Sequence, residues 1–215
     1  MITVWPAILE KNPHDIQQRI DAVAGIVSEI HLDVMDGDFV PNTTVHDPAA
    51  IAALDWKGLK VSLHLMIARP ELYVRQWALP SVSSMVVHRE AVTNMEQMIK
   101  LVREVDKQLA VAINPHTSSY AITDYLDQLA FVMVMGVEPG FAAQGFNSDV
   151  LDKIKFLHEQ KPQLAIAVDG GVNLQTKWPI LAAGATMLCA NSYLFKADNL
   201  IEAYHELRST DRTSS

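Results

Sequence analysis

A single cysteine, Cys189, excludes a disulfide within the chain. It lies in an apolar run and reads as a small buried core residue rather than a reactive thiol. Basic charge is also scarce: 17 Lys and Arg stand against 25 Asp and Glu, the net charge is -8, and no dense Lys/Arg run occurs. A nucleic-acid partner is therefore not expected. No window approaches the roughly 18 uninterrupted apolar residues of a membrane span. The opening Met1-Ile2-Thr3-Val4-Trp5-Pro6 lacks the basic and then apolar layout of a secretion signal. These absences leave a cytoplasmic protein with a small-molecule partner as the expectation.

Against those shortages stands ample core material. Hydrophobic residues make up 49% of the 215 and charged residues 20%, enough for one sizeable domain and too apolar for disorder. Short β-type runs alternate with helical patterns from end to end. The strand candidates are Ile2–Trp5, Ile30–Val34, Lys60–Met66, Met85–His88, Leu109–Ile113, Phe131–Met135, Leu164–Val168 and Thr186–Ala190. They are rich in Val, Ile, Leu, Met and Ala, as strands buried on both faces should be.

Between them, His14–Val27 places Ile16, Ile20, Val23 and Val27 on one stripe, and Asn94–Val105 does so with Met98, Leu101 and Val105. Asn12 before Pro13 reads as a helix cap, and Pro70 opens a helix directly after the third strand. Further helices are expected near Pro48–Leu54, Ser118–Leu126, Ser148–Glu159, Gln175–Ala183 and Asn199–Leu207. Repeated β-then-α units imply parallel strands joined by right-handed crossovers. Eight of them define the expected class, α/β, closing as a single (β/α)8 TIM barrel over residues 1–208, with a polar, frayed tail at 209–215. An open doubly wound sheet would carry a Gly-rich dinucleotide fingerprint after an early strand, and none is present.

In such a barrel the active site lies at the C-terminal strand ends. Side chains alternate along a strand, so His31, Asp33 and Met35 share one face of the second strand, and His64 and Met66 one face of the third. Asp169-Gly170-Gly171 follows the seventh strand at once. Two imidazoles and two carboxylates thus converge, a donor set that suits one divalent ion of Zn, Fe, Mn or Co. Without a metal or mutual pairing their burial would be costly.

The string from His31 through Asp36-Gly37-Asp38-Phe39-Val40-Pro41-Asn42 closely resembles the signature of ribulose-phosphate 3-epimerases. So do His64-Leu65-Met66 with Arg69-Pro70-Glu71, Asn114-Pro115, Val134 through Phe141, and Val168-Asp169-Gly170-Gly171-Val172, in order along nearly the whole chain. The resemblance implies an isomerase of the pentose phosphate pathway that epimerises C3 of a phosphorylated ketose, D-ribulose 5-phosphate to D-xylulose 5-phosphate. It implies His31, Asp33, His64 and Asp169 as metal ligands, and Asp33 and Asp169 as the acid and base that work through a metal-stabilised enediolate. Met35, Met66 and Met135 match methionines that pack beside the metal. Substrate and phosphate contacts would come from Ala7, His64, Gly140, Phe141, Ala142, Ala143, Gly170, Gly171, Asn191 and Ser192. A homo-oligomer is implied as well.

The sequence departs from that pattern in the substrate shell. The family usually has glycines where Ala142, Ala143 and Asn191 stand, and serine where Ala7 stands. An alanine forced into a left-handed conformation would carry roughly 1–2 kcal/mol of strain. The departures leave open another ketose phosphate, such as allulose 6-phosphate, or a barrel that binds a sugar phosphate without catalysis. His88 ends the fourth strand beside Glu90 and could line the site, whereas His14, His46, His116, His158 and His205 read as solvated.

Overall fold

The computed structural model describes residues 2–211. Its strands are β1 (Thr3–Ile8), β2 (Glu29–Met35), β3 (Lys60–Met66), β4 (Val82–His88), β5 (Gln108–Ile113), β6 (Phe131–Met135), β7 (Ala165–Asp169) and β8 (Met187–Ala190). All pair in parallel with their sequence neighbours, and β8 closes on β1 through Thr3 to Met187 and Pro6 to Ala190. The expected barrel is the fold. Helices α1 (Pro13–Val23), α2 (Pro48–Ala52), α3 (Val74–Trp77), α4 (Met95–Glu104), α5 (Val150–Gln160), α6 (Leu174–Ala182), α7 (Ser192–Phe195) and α8 (Leu200–Arg208) follow in chain order. Among the described residues no helix is long and apolar enough to cross a membrane.

Alternation along each strand splits the apolar residues into two cores. Leu32, Val34, Leu63, Leu65, Val132 and Val168 face outward and join helix residues such as Ile16, Ile20 and Ile154. Trp5, Val86, Ala110, Phe131, Met133 and Ala167 fill the barrel. Apart from inward polar residues such as His31 and Asp33 on β2, Ser62 and His64 on β3 and Ser84 and His88 on β4, the strands are apolar on both faces, which is why they read as largely apolar runs.

Several expectations shift. β1 continues through Pro6 to Ile8, which brings Ala7 into the sheet beside His31. Helix α1 stops at Val23 because Gly25, with φ of 80°, turns the chain, so Val27 packs from a loop. The buried face of α4 is Met95, Met98, Ile99 and Val102, rotated from the expected Met98, Leu101 and Val105. Pro70–Leu72 and Ser119–Gln128 are 3-10 helices rather than α-helices.

Asn12 caps α1 as expected, accepting from the Asp15 N–H at 2.9 Å. The expected tail begins at Ser209, yet the Ser209 carbonyl accepts from the buried Lys177 Nζ at 2.6 Å. The rest of that expected segment, from residue 212, lies outside the described residues.

Candidate active site and metal centre

The C-terminal strand ends form a cleft whose wall includes Ala7, Asp33, Met35, Met66, Met135, Asp169, Asn191 and Ser192. The loop from Gly140 to Gln144, Gly170 and Gly171 complete it. His31 and His64 are fully buried and lie beneath it, so His64 does not line the cleft. Among the described residues no lysine or arginine contributes to the lining.

Four side chains meet at the floor. His31 Nε2 and His64 Nδ1 are 3.1 Å apart, and Asp33 Oδ1 is 3.4 Å from the first and 3.0 Å from the second. Asp169 Oδ2 lies 3.6 Å from His64 Nδ1 and 4.0 Å from His31 Nε2. One donor atom from each residue falls within 4.8 Å of all the others. The backbone holds this arrangement firmly. Thr44 Oγ1 accepts from the Met35 N–H at 2.9 Å and donates to the Asp33 carbonyl at 2.8 Å, pinning the end of β2. Trp5 stacks beside His31, 6° from parallel.

The burial divides the two carboxylates. Desolvation works against the Asp33 charge, but hydrogen bonds from His31 and His64 outweigh it and hold the group well below the usual carboxylate range. Asp169 is pushed up to about 7 by desolvation and by the Asp33 charge, with His31 and the Gly170 N–H opposing. Desolvation likewise brings His64 down to about 3, against its Asp33 hydrogen bond. Burial also opposes charge on His31, yet Asp33 and Asp169 together raise it.

The donor set fits a cation. Two imidazole nitrogens and two carboxylate oxygens, from residues that are all buried, point at one another around a common centre. Two nitrogens and two oxygens within mutual reach match the coordination of Zn, Fe, Mn or Co.

The expected phosphate end is brought to one side of the cleft. Gly170 and Gly171 have φ of 96° and 71°, and a Cβ on Gly171 would come within 2.8 Å of the Phe146 backbone. The loop is tied down from α6: Thr176 Oγ1 donates to the Gly171 carbonyl at 2.9 Å, and Asn173 Nδ2 does so at 3.1 Å. Of the two expected alanines, Ala143 does take a left-handed conformation, with φ of 62°. Asn191 does not, with φ of -101°. Its amide instead donates to the Ala7 carbonyl at 2.7 Å, so two of the departures from the family pattern touch each other. Phe141 is half exposed at the rim.

Two contributors were not named as site residues from the sequence, and a third lies deeper than expected. Asn42 Nδ2 donates to the Gly140 carbonyl at 2.6 Å and ties the β2 loop to the β6 loop. Thr44 was not singled out; only its return to the Met35 strand end reveals it. His88, expected at most as a lining residue, is fully buried with Nε2 2.9 Å from His64 Nε2. The motif string through Asn42 was the one signal that pointed to this loop.

An eight-stranded barrel with two histidines and two aspartates beneath its C-terminal mouth defines a class of metal-dependent barrel enzymes. The model of the ribulose-phosphate 3-epimerase family matches residues 3–195. A ribulose-phosphate 3-epimerase of Bacillus subtilis is 36% identical over 98% of this chain and 100% of its own. One of Schizosaccharomyces pombe is 31% identical, covering 96% and 92%. The chain belongs to the ribulose-phosphate 3-epimerase family. A solved 3-hexulose-6-phosphate synthase superposes with a TM-score of 0.71 at 18% identity, covering 96% of this chain and 98% of that one, and shares the fold.

Proposed function

We propose that the chain interconverts D-ribulose 5-phosphate and D-xylulose 5-phosphate by proton transfer at C3. The observation that carries this reading is the pair of aspartates lining one cleft, Asp33 Oδ1 3.0 Å and Asp169 Oδ2 3.6 Å from the same His64 nitrogen, with burial raising Asp169 while the histidines hold Asp33 low. Epimerisation through two bases needs one group ready to accept a proton while another is ready to donate. Family membership supplies the substrate class.

His31 Nε2, Asp33, His64 Nδ1 and Asp169 are the residues that would hold a divalent cation, which supplies Lewis-acid stabilisation of negative charge developing on the sugar oxygens. In this reading Asp33 and Asp169 serve opposite faces of C3. One carboxylate oxygen takes the proton, the other returns one to the opposite face, and the two roles exchange in the reverse direction. Met35, Met66 and Met135 wall the reacting carbon with apolar surface and keep water from quenching the carbanionic charge. At the far end, backbone N–H groups around Gly140–Ala143, Gly170–Gly171 and Ser192 cradle the phosphate, which suits a cleft without lysine or arginine.

The test is conversion of D-ribulose 5-phosphate by protein loaded with Zn, Fe, Mn or Co, followed by a xylulose 5-phosphate-specific assay, with and without a chelator. Conversion lost on chelation supports the reading. Metal-loaded protein that leaves ribulose 5-phosphate untouched and converts allulose 6-phosphate would move the substrate; the contact between Asn191 and Ala7 is the observation that favours that alternative.

A further inference from the structure

We infer that the side chain of Asn191 reads a sugar hydroxyl, the one between the reacting C3 and the phosphoester, and does not bind the phosphate. The inference rests on the reading of the cleft as a ketose-phosphate site and deepens it to one specificity-determining contact.

Asn191 follows β8 directly, two residues beyond Cys189. Cys189 pairs with Asp169 on β7 and with Trp5 on β1, and both Cys189 and Asn191 line the cleft. On the β1 side the Asn191 amide meets Ala7, which pairs with His31 of the metal-ligand cluster. On the other side Ser192 comes next in the chain, and Gly170 and Gly171 leave the end of β7. Asn191 therefore stands where the reacting end of the cleft gives way to the phosphate end.

The backbone allows a side chain at this place. Its φ of -101° is open to any residue, so nothing here requires glycine. The amide has a fixed sense. The Ala7 carbonyl can only accept, so the atom 2.7 Å from it is Nδ2, and Oδ1 is the other end of the group. Oδ1 does not cap α7, and among the described residues it has no hydrogen-bond partner. It is an acceptor held on a cleft wall with no donor from the protein.

Such an atom selects what it meets. A phosphate dianion brings only acceptor oxygens, and Oδ1 against it would set two negative partial charges together. A hydroxyl brings the proton that Oδ1 lacks. Ala7 offers only a methyl group from its side chain, so the polar contact on the β1 side has to come from Asn191. In the proposed binding mode the phosphate lies with the backbone N–H groups of Gly170, Gly171 and Ser192, and C3 lies with Asp33 and Asp169. The carbon that joins those two ends carries a secondary hydroxyl, and it is the part of the sugar that Asn191 reaches.

The test removes each partner in turn. Asn191→Ala and Asn191→Gly both delete the amide, and circular dichroism checks that each is folded. The second carries the residue usual at this place in the family and stays informative if the first does not fold. Isothermal titration calorimetry of metal-loaded, full-length protein compares D-ribulose 5-phosphate with its 4-deoxy analogue. The wild type should bind the analogue about 10-fold more weakly, the scale of one hydrogen bond lost from a cleft wall. In both variants the two ligands should bind within about 2-fold of each other, because the hydroxyl no longer has its acceptor. Inorganic phosphate, followed by phosphorus NMR, should bind the variants as tightly as the wild type.

A wild type that binds the two ligands equally, or discrimination that persists in both variants, would overturn the inference. So would an affinity for inorganic phosphate that falls with the amide, since Asn191 would then be a phosphate ligand. Wild-type protein that binds both ketose phosphates and epimerises neither would overturn the epimerase reading instead, while the affinities still decide the role of Asn191. Wild-type protein that binds neither would overturn both.

Discussion

Asp33 and Asp169 share a floor too small and too dry for two free carboxylate charges, and the histidines decide which one keeps its charge. Asp33 takes the hydrogen bonds from both rings and is held low; Asp169 is raised by burial first and by the Asp33 charge second. Because the folded Asp169 lies near 7 against 3.8 for an ordinary aspartate, the metal-free fold loses stability as pH rises from about 4 through about 7. Asp169→Asn removes that penalty. We predict that at pH 8, in chelator, Asp169→Asn melts higher than the wild type by an amount on the order of 1–4 kcal/mol in stability. The same variant should lose activity by at least about 100-fold. A lower melting temperature in chelator would contradict the reading of Asp169 as a strained carboxyl.

Ala143 is a second strained residue, left-handed without being glycine. Ala143→Gly should raise the urea midpoint by an amount equivalent to roughly 0.5–1 kcal/mol, since the strain relieved exceeds the entropy glycine adds to the unfolded chain. No change, or a fall, would show that the loop carries no strain there.

Caps and ties at element ends hold the loops that flank the reactive groups. Helix α6 starts with a capping box in which Asn173 accepts from the Thr176 N–H at 3.1 Å and Thr176 Oγ1 accepts from the Asn173 N–H at 3.0 Å. The same two side chains hold the Gly171 carbonyl. Asn173→Ala should therefore cost about 1 kcal/mol of stability by urea unfolding. It should also raise KM for the sugar phosphate more than it lowers kcat if, as proposed, the loop it loosens holds phosphate and not C3. An equal loss in both would place Asn173 in the chemistry.

At the end of β2, Thr44 does comparable work on Asp33 and Met35. Thr44→Val leaves the Met35 N–H buried without its acceptor, a cost of about 1–3 kcal/mol measurable by thermal melting.

At the scale of the whole molecule, the barrel was legible because strands buried on both faces are written as apolar runs, and the motif strings placed His31, Asp33, His64 and Asp169 at strand ends before any coordinates. What was not legible depends on register and short range. Pro6 looked like the end of β1, yet parallel pairing with β8 accommodates it, and only then does Ala7 reach the cleft. The four-residue α7 has too few residues to show a period. Periodicity chose the wrong face of α4, because Leu101 and Val105 are apolar residues at the margin of the true stripe.

The closeness of His88 to His64 follows from how β3 and β4 slide past each other, with an irregularity between Val61 and Ser62. No sequence pattern announces that. The contact between Asn191 and Ala7 joins residues from opposite ends of the chain that adjoin only once the barrel closes.

Proton exchange at C3 is the step that defines a 3-epimerase. The direct measurement is proton NMR of the metal-loaded protein with D-ribulose 5-phosphate in deuterated water. The predicted result is one solvent deuterium at C3 of the xylulose 5-phosphate formed, then of both epimers at equilibrium, with no incorporation at the other carbons. Xylulose 5-phosphate formed with its original C3 proton, or no exchange by protein that has been shown to hold its metal, would contradict it.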